Sequence, residues 1–287
     1  MSNQTTIRLF GGLGNQLFQY FAGLDLSIRS ESNLIVDCRW IESNYAQDKS
    51  DIRDFQFLKS AETKTIQNFG QPNFILERIK TRIAKEFNAV GYFFKINVPN
   101  NTGYFDLKNI KKGMELRGYY QSYKYFDNVS GNSGTTEWSL ETESNYFLSL
   151  KNKLNTEMFI ALHVRGADYL RNANIYHQLT QKYYSDSLKA INSKLKDIKI
   201  YVFSDDIAFA KNVLKDCSEL EFVDQKGLRA SEAMTLMSLA KAIVIANSTF
   251  SYWAAMMNTE NQVIAPKFWY TNKLVDKDLY PPRWTIV

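Results

Sequence analysis

The sequence is poor in the residues that cross-link a chain, ligate metals or break helices. Its 287 residues include two cysteines, two histidines and five prolines. Cys38 and Cys217 are too few for a disulfide framework or a set of zinc ligands. His163 and His177 are too few for a mechanism that needs several imidazoles. We therefore expect a reducing compartment and no bound metal.

Long hydrophobic runs are also missing. No apolar stretch reaches the ~18 residues that a membrane helix needs, and the best candidate, 233–246, is interrupted by Lys241. The first residues lack the basic flank and apolar run of a signal peptide, which predicts a cytoplasmic protein. The chain is 45% apolar and 23% charged, and this composition excludes a disordered protein.

The charge is modestly basic, with a formal net charge of +5. This value suits phosphate-bearing ligands or an anionic membrane surface. Nucleic acid is not an expected partner, because the basic residues form no arm or stripe.

The first half opens with a strand, a turn, a helix and a second strand. A strand is predicted at 7–10, a helix follows at the spacing of Leu17, Phe21, Leu24 and Ile28, and 34–36 is the second strand. Such units build parallel sheets. Further on, we predict a helix at 74–87, a strand at 114–118, a turn-rich break at 130–136 and a helix at 138–154.

The second half alternates short buried strands with helices, which is typical of a doubly wound sheet. The predicted strands are 158–164, 198–203, 220–223, 242–246 and 262–265, and the predicted helices are 183–195, 208–214 and 231–239. The sequence thus predicts an α/β protein with two halves: an N-terminal domain over 1–150 that includes the glycine-rich turn, and a C-terminal domain over 151–287.

Polar residues follow four of the predicted strands, where a doubly wound sheet places its ligands. The groups are Gly12, Gly14, Asn15 and Gln16 after the first strand; His163, Arg165 and Asp168 after 158–164; Asp205 and Asp206 after 198–203; and Asn247, Ser248, Thr249 and Ser251 after 242–246.

Each group has a functional and a structural interpretation. Arg165 offers a planar fork that matches two phosphate oxygens and stays charged, yet it could equally pair with Asp168. The glycine turn suits close approach to an anion, or is only a tight turn. The groups at 205–206 and 247–251 could contact a nucleotide or could cap the helices that follow.

A dinucleotide-binding oxidoreductase is an alternative. Gly12 and Gly14, with Asp37 at the end of the second strand, imitate the dinucleotide fingerprint. Tyr120 and Lys124 imitate a reductase pair. Leu17 stands at the third glycine position, where a large side chain opposes close helix–strand packing. A non-catalytic sugar-binding module is a third hypothesis.

The order of four motifs resembles glycosyltransferase family 11, the bacterial and animal α-1,2-fucosyltransferases. The motifs are Gly-Gly-Leu-Gly-Asn-Gln-Leu-Phe-Gln-Tyr20, His163-x-Arg165-x-x-Asp168-Tyr169, Phe203-Ser-Asp-Asp206 and Ile245-Ala-Asn-Ser-Thr-Phe-Ser-Tyr-Trp-Ala-Ala255. The resemblance extends to the Ala265-Pro266-x-x-Trp269 tail and is faint between about 40 and 150.

The resemblance implies a GT-B-like α/β fold in which two Rossmann-type domains have largely parallel sheets facing a cleft. It implies an acceptor-side N-terminal domain and a GDP-sugar-binding C-terminal domain. The implied reaction is inverting transfer of L-fucose from GDP-fucose to the 2-hydroxyl of a galactose-terminated glycan, with no cofactor and no required metal. The acceptor would be lipid-linked O-antigen at the inner face of the bacterial inner membrane, with peripheral membrane contact by the enzyme.

The resemblance also implies roles for single residues. Arg165 would hold the donor diphosphate, Asp168 is the candidate base, and His163, Asp205 and Ser251 would line the nucleotide pocket, with Asn15 approaching it. Members often have a second arginine where this chain has Gly166, which leaves Arg165 alone. An acidic residue expected at position 233 is alanine here, with Glu232 adjacent.

Overall fold

The structure, a computed structural model, describes most of the chain. The described residues are 4–43, 50–56, 64–65, 73–86, 96–98, 103–104, 114–133, 138–166, 172–191, 195, 198–258, 260–271, 273–274 and 278–287. They form two compact units: unit 1 comprises 1–141 and 276–281, and unit 2 comprises 142–275 and 282–287. Residue 150, the predicted boundary, lies inside a helix of unit 2 that spans Asn145–Asn155.

Unit 1 is built on a five-stranded parallel sheet in the order β3-β2-β1-β5-β4. Its strands are β1 (Gln4–Arg8), β2 (Asn33–Asp37), β3 (Lys64–Thr65), β4 (Ile96–Asn97) and β5 (Glu115–Leu116). Its helices are α1 (Leu13–Arg29), α2 (Arg39–Glu42), α3 (Phe74–Glu86) and α4 (Tyr123–Ser133), with a 3-10 turn at Ile52–Asp54.

Helix α1 packs closely on β1 and forms because its apolar residues recur at helical spacing. Leu17, Phe18 and Phe21 are buried on its inner side. Gly23 permits the close approach, since a Cβ there would lie 2.9 Å from Ile7. The predicted strand–turn–helix–strand opening is therefore present.

Unit 2 is built on a six-stranded parallel sheet in the order β13-β10-β9-β6-β7-β8. Its strands are β6 (Phe159–Val164), β7 (Lys199–Ser204), β8 (Leu220–Val223), β9 (Ala242–Val244), β10 (Gln262–Ala265) and β13 (Thr285–Ile286). Its helices are α5 (Asn145–Asn155), α6 (Gln181–Ala190), α7 (Ile207–Val213), α8 (Ala230–Ser238) and α9 (Thr249–Met256). Strands β11 (Phe268–Tyr270) and β12 (Lys273–Leu274) form a separate antiparallel pair.

The sheet of unit 2 has the Rossmann strand order. When its six strands are numbered by their order in the chain, they follow one another across the sheet from the edge strand β8 as 3-2-1-4-5-6. Every residue of the central strand β6 is buried. The continuous apolar runs predicted as strands thus lie where both faces of a parallel sheet are covered by helices.

Two sequence predictions around residues 130–154 were wrong. The predicted break at 130–136 begins inside α4, which continues to Ser133 because Phe126 and Val129 are buried; residues 134–137 lie outside the described ranges. The helix predicted from residue 138 begins at Asn145, because the Ser144 hydroxyl caps it by accepting the N–H of Phe147 at 3.1 Å.

Within the described ranges, no helix is both long enough and apolar enough to cross a membrane.

Candidate functional site

The strand order of unit 2 creates a topological switch point between β6 and β9. These neighbours are ranked first and fourth in the sheet, so their connections depart in opposite directions and leave a crevice at their carboxyl ends. Three of the four predicted polar groups follow β6, β7 and β9, at this crevice or beside it. These three groups thus share one edge of the sheet of unit 2, whereas the group at 12–16 follows a strand of the other sheet, in unit 1.

Arg165 and Gly166 leave the end of β6 and bind the next strand end through Asp205. The Arg165 guanidinium lies 3.0 Å from an Asp205 carboxylate oxygen. The other carboxylate oxygen accepts the Gly166 N–H at 2.7 Å. Both charged side chains remain about a third exposed, so the pair fixes the guanidinium while leaving it open to solvent. Asp168, the candidate base, lies outside the described residues.

Gly166 is required by this arrangement. A Cβ at this position would lie 2.7 Å from the Asp206 Cβ and 2.8 Å from an Asp205 carboxylate oxygen. Both distances are shorter than real Cβ contacts allow. Glycine at position 166, where the resemblance implies an arginine, therefore has a steric reason: Asp205 and Asp206 occupy the space that a larger side chain would need.

His163 is buried directly behind the strand end. Its side chain is 2% exposed, and its ring lies 5.5 Å from the Phe250 ring on α9. Burial, with a smaller contribution from the Arg165 charge, lowers the pKa of His163 to about 3. Nδ1 has no hydrogen-bond partner among the described residues. The imidazole is thus neutral at physiological pH and has an unused polar atom.

Asp206 has the capping role that the sequence left open. Its carboxylate accepts the N–H of Phe209 at 2.9 Å and begins α7. The Ser204 hydroxyl braces the same turn through the Asp206 N–H and carbonyl, both at 3.0 Å. Of the two neighbouring aspartates, Asp205 faces Arg165 and Asp206 caps the helix.

Asn247 ties two chain segments to the end of β9. Its side-chain amide donates to the carbonyls of His177 at 2.9 Å and Trp269 at 2.8 Å, and the residue is 1% exposed. Both amide hydrogens are therefore used inside the protein. A cavity of about 170 Å³ adjoins this tether and is lined in part by His177, Lys182, Lys267 and Phe268.

Helix α9 begins without a side-chain cap. Ser248 occupies the N-cap position in extended conformation, and its hydroxyl caps no N–H. Ser251 is fully buried and its hydroxyl faces the carbonyls of Ala246 and Ser248, at 3.4 and 3.3 Å. Its side chain thus supports the turn. Because the first amides of a helix carry partial positive charge, an uncapped N-terminus beside a strand end suits an anion.

Two tyrosines that the sequence did not single out hold the strand ends. Tyr183 donates to the carbonyl of Ile245 at 2.6 Å, and Tyr184 donates to the carbonyl of His163 at 3.3 Å. Both are neighbours on α6, so one helix braces the two strands that flank the switch point. Their pairing depends on tertiary packing, which periodicity alone does not reveal.

In unit 1, the glycine turn is held mainly by Gln16. This buried side chain donates to the carbonyls of Gly11 at 2.9 Å and Ser50 at 2.8 Å, and accepts the N–H of Ile52 at 3.0 Å. Gly11 has a φ of 76°, a left-handed conformation that favours glycine. Gln16 is thus committed to the turn.

Asn15 lies across the switch point of the first sheet. Its side-chain oxygen accepts a hydrogen bond from Gln121 at 3.1 Å, and Gln121 follows β5, the neighbour of β1. Gly12 is the N-cap residue of α1, and Gly14 is buried in its first turn. Asn15 remains partly exposed, so its side-chain amide can contact a ligand as well as Gln121.

Asp37 is occupied by arginines. Its carboxylate pairs with Arg8 at 3.2 Å and with Arg39 at 2.8 Å, and the residue is 1% exposed. Burial opposes ionisation, but the hydrogen bond from Arg39 and the charge of Arg8 lower the pKa of Asp37. This carboxylate cannot also bind a ribose, so the acidic residue that the dinucleotide fingerprint of an oxidoreductase requires is not available.

Tyr120 and Lys124, the imitation of a reductase pair, are likewise engaged elsewhere. Tyr120 is fully buried and donates to Asn97 at 3.4 Å, while Lys124 pairs with Asp278 at 2.7 Å.

Glu232 is buried and caps the N-terminus of α8. It accepts the N–H of Ser144 at 2.7 Å and the N–H of Arg229 at 2.9 Å, in a capping box. It is therefore not available to a nucleobase. Among the described residues, no three His, Cys, Asp or Glu side chains cluster so that they could hold a metal ion.

Solved structures share the fold of this chain. The chain is similar to NodZ α-1,6-fucosyltransferase soaked with GDP-fucose, with a TM-score of 0.52 at 13% identity, over 90% of this chain and 93% of the other. It is similar to POFUT1 in complex with GDP-fucose, with a TM-score of 0.50 at 15% identity, over 91% and 97%. At these identities the likeness concerns the fold alone. The α/β fold with two parallel sheets is GT-B-like, as expected.

The sequence comparison identifies the family. Residues 2–287 match Glycosyl transferase family 11, and the chain belongs to it. An Escherichia coli α-1,2-colitosyltransferase is 29% identical over 300 residues, covering 96% of each chain. The E. coli O-antigen biosynthesis glycosyltransferase WbnK is 27% identical over 288 residues, covering 91% of this chain and 93% of its own. The family expected from the motifs is thus confirmed, and the protein is a glycosyltransferase.

Proposed function

We propose that the protein transfers a 6-deoxyhexose, L-fucose in the first instance, from its GDP-β-L derivative to the 2-hydroxyl of a terminal galactose-type sugar during O-antigen synthesis. Unit 2 would bind the GDP-sugar and unit 1 would serve the acceptor. Family membership supports the reaction class, and the two E. coli relatives support both the α-1,2 linkage and the O-antigen context.

The observation that carries the proposal is the Arg165–Asp205 pair at the switch point. The pair holds a permanently charged guanidinium at a strand end without burying it. Negative charge builds on the β-phosphate as the glycosidic C–O bond breaks, and a fixed cation stabilises that charge without reorganising. Arg165 would thus bind the donor diphosphate and stabilise the departing GDP.

The uncapped start of α9 would supply a second contribution. Its first amides would donate to the diphosphate, so that Ser248 and Thr249 act through the backbone at least as much as through their hydroxyls. Neutral His163, between β6 and Phe250, would hydrogen-bond the nucleotide rather than exchange a proton with the reacting centre. Asn247 and Ser251 would position this helix start instead of contacting the ligand.

The transfer breaks the bond between the anomeric carbon and the β-phosphate oxygen and forms a bond from that carbon to the acceptor oxygen. GDP takes the bonding electron pair, and the acceptor hydroxyl loses its proton. We keep Asp168 as the proposed base, because it follows Arg165 by three residues in a motif shared with the family. In unit 1, Gly12, Gly14 and Asn15 would contact the acceptor sugar.

A second candidate donor is GDP-colitose, because one relative is named an α-1,2-colitosyltransferase. Donor choice depends on contacts to the sugar ring. A parallel assay with GDP-fucose and GDP-colitose therefore separates the two candidates.

The proposal is tested by offering each GDP-sugar with a panel of galactose-terminated acceptors in excess chelator, and by assigning the product linkage with NMR. We expect an α-1,2-linked product and release of GDP. Titration with GDP and NADPH supplies the contrast between classes. Tight binding of NADPH without a response to GDP, or a product with another linkage, would overturn the proposal.

A further inference from the structure

Helix α3 of unit 1 exposes an unusual amount of aliphatic surface. Ile75, Leu76 and Ile79 are 65%, 52% and 49% exposed. No other helix within the described ranges has three large hydrophobic side chains exposed to this degree. The helical period places these three residues on one face, with half-buried Ile83 continuing it. We call this face the aliphatic stripe.

The opposite face of α3 explains why the stripe is turned outward. Glu77 accepts a hydrogen bond from Arg117 at 2.7 Å, and Thr81 accepts one from the same guanidinium at 2.8 Å. Ala84, on the same side, is 2% exposed. The polar contacts therefore fix the rotation of the helix, and the apolar residues project away from the unit.

Basic residues border the stripe. Arg78, Arg82 and Lys85 lie along one side of it by helical position, and Lys80 lies along the other. The 13 residues of the helix contain four basic and two acidic side chains, and one of the acidic ones, Glu77, belongs to the inner face. Glu86, which pairs with Arg82 at 3.3 Å, lies at the C-terminal end of the stripe by helical position. The outward surface is thus aliphatic at its centre and carries a net positive charge at its rim.

This pattern matches an anionic membrane surface better than a second copy of the chain. Aliphatic side chains enter the boundary between head groups and acyl chains, while Arg and Lys attract anionic head groups. In a symmetric pair of copies the same cationic rims would face one another and repel. A helix of 13 residues is about 20 Å long and would lie flat in the interface.

We propose that the aliphatic stripe and its basic rim dock the protein on anionic lipid bilayers. The proposal does not depend on the donor or the acceptor, because it concerns a surface remote in sequence from the transferase motifs. It adds a specific contact surface to the expected peripheral association with the membrane.

The test uses the full chain and sedimentation with vesicles. Wild-type protein should bind vesicles that contain phosphatidylglycerol at least tenfold more tightly than vesicles of phosphatidylcholine alone, and added salt should weaken the binding. The double variant Ile75→Ser/Ile79→Ser should bind at least tenfold more weakly, since two buried aliphatic contacts are lost. Met158→Ser is the matched control, because this side chain is 60% exposed in unit 2.

The basic rim is tested separately. Arg78→Gln/Arg82→Gln should weaken binding to anionic vesicles by roughly fivefold for each charge and should reduce the salt dependence. Lys215→Gln/Lys226→Gln removes two exposed charges of unit 2 and should leave binding unchanged. Circular dichroism and the Tm should confirm that every variant is folded, as expected for exposed positions.

Three results would overturn the proposal. The first is absence of binding by wild-type protein. The second is equal binding by Ile75→Ser/Ile79→Ser and the control. The third is a wild-type dimer in analytical ultracentrifugation that becomes a monomer in the same variant, which would make the stripe a protein interface. A failure of GDP-sugar turnover would leave all of these measurements intact.

Discussion

At the scale of single residues, the site depends on the ion pair and the glycine that follow the end of β6. Arg165 is held by Asp205 and remains about a third exposed, and Gly166 fits because it has no side chain. Substitution of Arg165 therefore tests whether the planar guanidinium is needed, and substitution of Gly166 tests whether the space beside Asp205 and Asp206 is needed.

Arg165→Lys should lower kcat/KM by about one to two decades with GDP-fucose. A lysine keeps the charge but cannot reproduce the planar fork, and a charge-assisted hydrogen bond is worth roughly 1.5–3 kcal/mol. Steady-state kinetics measure the effect. Arg283→Lys, an exposed arginine of the same unit, is the matched control. Full activity in a folded Arg165→Lys protein would contradict the proposed role.

Gly166→Ala should reduce GDP affinity and kcat/KM by at least tenfold, because the new Cβ would displace Asp205 and with it the guanidinium. Calorimetric titration with GDP and kinetic assays give the two numbers. Gly131→Ala is the control: apart from its chain neighbours and the backbone of its own helix, no atom lies within 4 Å of the added Cβ, and the exposed helical position should gain up to about 1 kcal/mol of stability. Equal activity of the two variants would show that the site tolerates the methyl group.

At the scale of elements, the connections after β6 and β9 are fixed by groups that face inward. Asn247 ties residues 177 and 269 to the start of α9, while Tyr183 and Tyr184 brace the strand ends from α6. Polar residues after a strand thus divide into those that support the crevice and those that face it.

Asn247→Asp should destabilise unit 2 by about 2–4 kcal/mol. The carboxylate would face two carbonyl oxygens in a buried position and would leave both without a donor. Urea unfolding followed by circular dichroism measures the loss. Asn258→Asp, which involves one carbonyl, that of Ser238, at a less buried position, should have a smaller effect. The reverse order would show that the tether contributes little.

The element scale also shows what the sequence could predict. Apolar runs identify strands, and the carboxyl ends of parallel strands share an edge, so the grouping of Arg165, Asp205 and Asn247 followed from position alone. The inward or outward direction of each polar group did not follow, because capping, bracing and ligand contact use the same residue types. Helix α4 was missed over its whole length, 123–133. Gly131 and its polar neighbours imitate a turn at its end, while burial of Phe126 and Val129 decides the outcome.

At the scale of the whole molecule, each unit has its own titratable group with a lowered pKa, buried in unit 2 and half-buried in unit 1. Unit 2 has neutral His163 under the crevice. Unit 1 has a network in which burial of Glu77 is outweighed by the hydrogen bond from Lys80 and the charges of Arg117 and Arg8, which lower the pKa of Glu77 to about 2. Acidification should therefore affect the two units in different ranges of pH.

The free energy of unfolding of unit 2 should fall as the pH drops from about 6.5 towards about 3, the range between the unfolded and folded pKa values of His163. The pKa of His163 is lowered in the folded state, so the unfolded chain binds the proton at a higher pH than the folded protein does. Protonation stabilises the unfolded chain, and the free energy of unfolding falls by up to about 1.4 kcal/mol per pH unit. Glu77 in unit 1 contributes stability that is complete above about 4.5 and is lost toward pH 2.

Unfolding at a series of pH values, with His163→Gln as the comparison, measures the first range. The variant should lack the slope between pH 6.5 and 5, and Glu77→Gln should retain it. An identical slope in His163→Gln and wild-type protein would show that another group is responsible.

The steric situation at Gly166 limits the routes by which this site can change. A residue larger than glycine needs the backbone of 205–206 to retreat first, and without that retreat every intermediate loses the anchoring of Arg165. Substitutions at 166 and at 205–206 should therefore appear together in natural variants and in directed evolution, and libraries that randomise position 166 alone should return glycine.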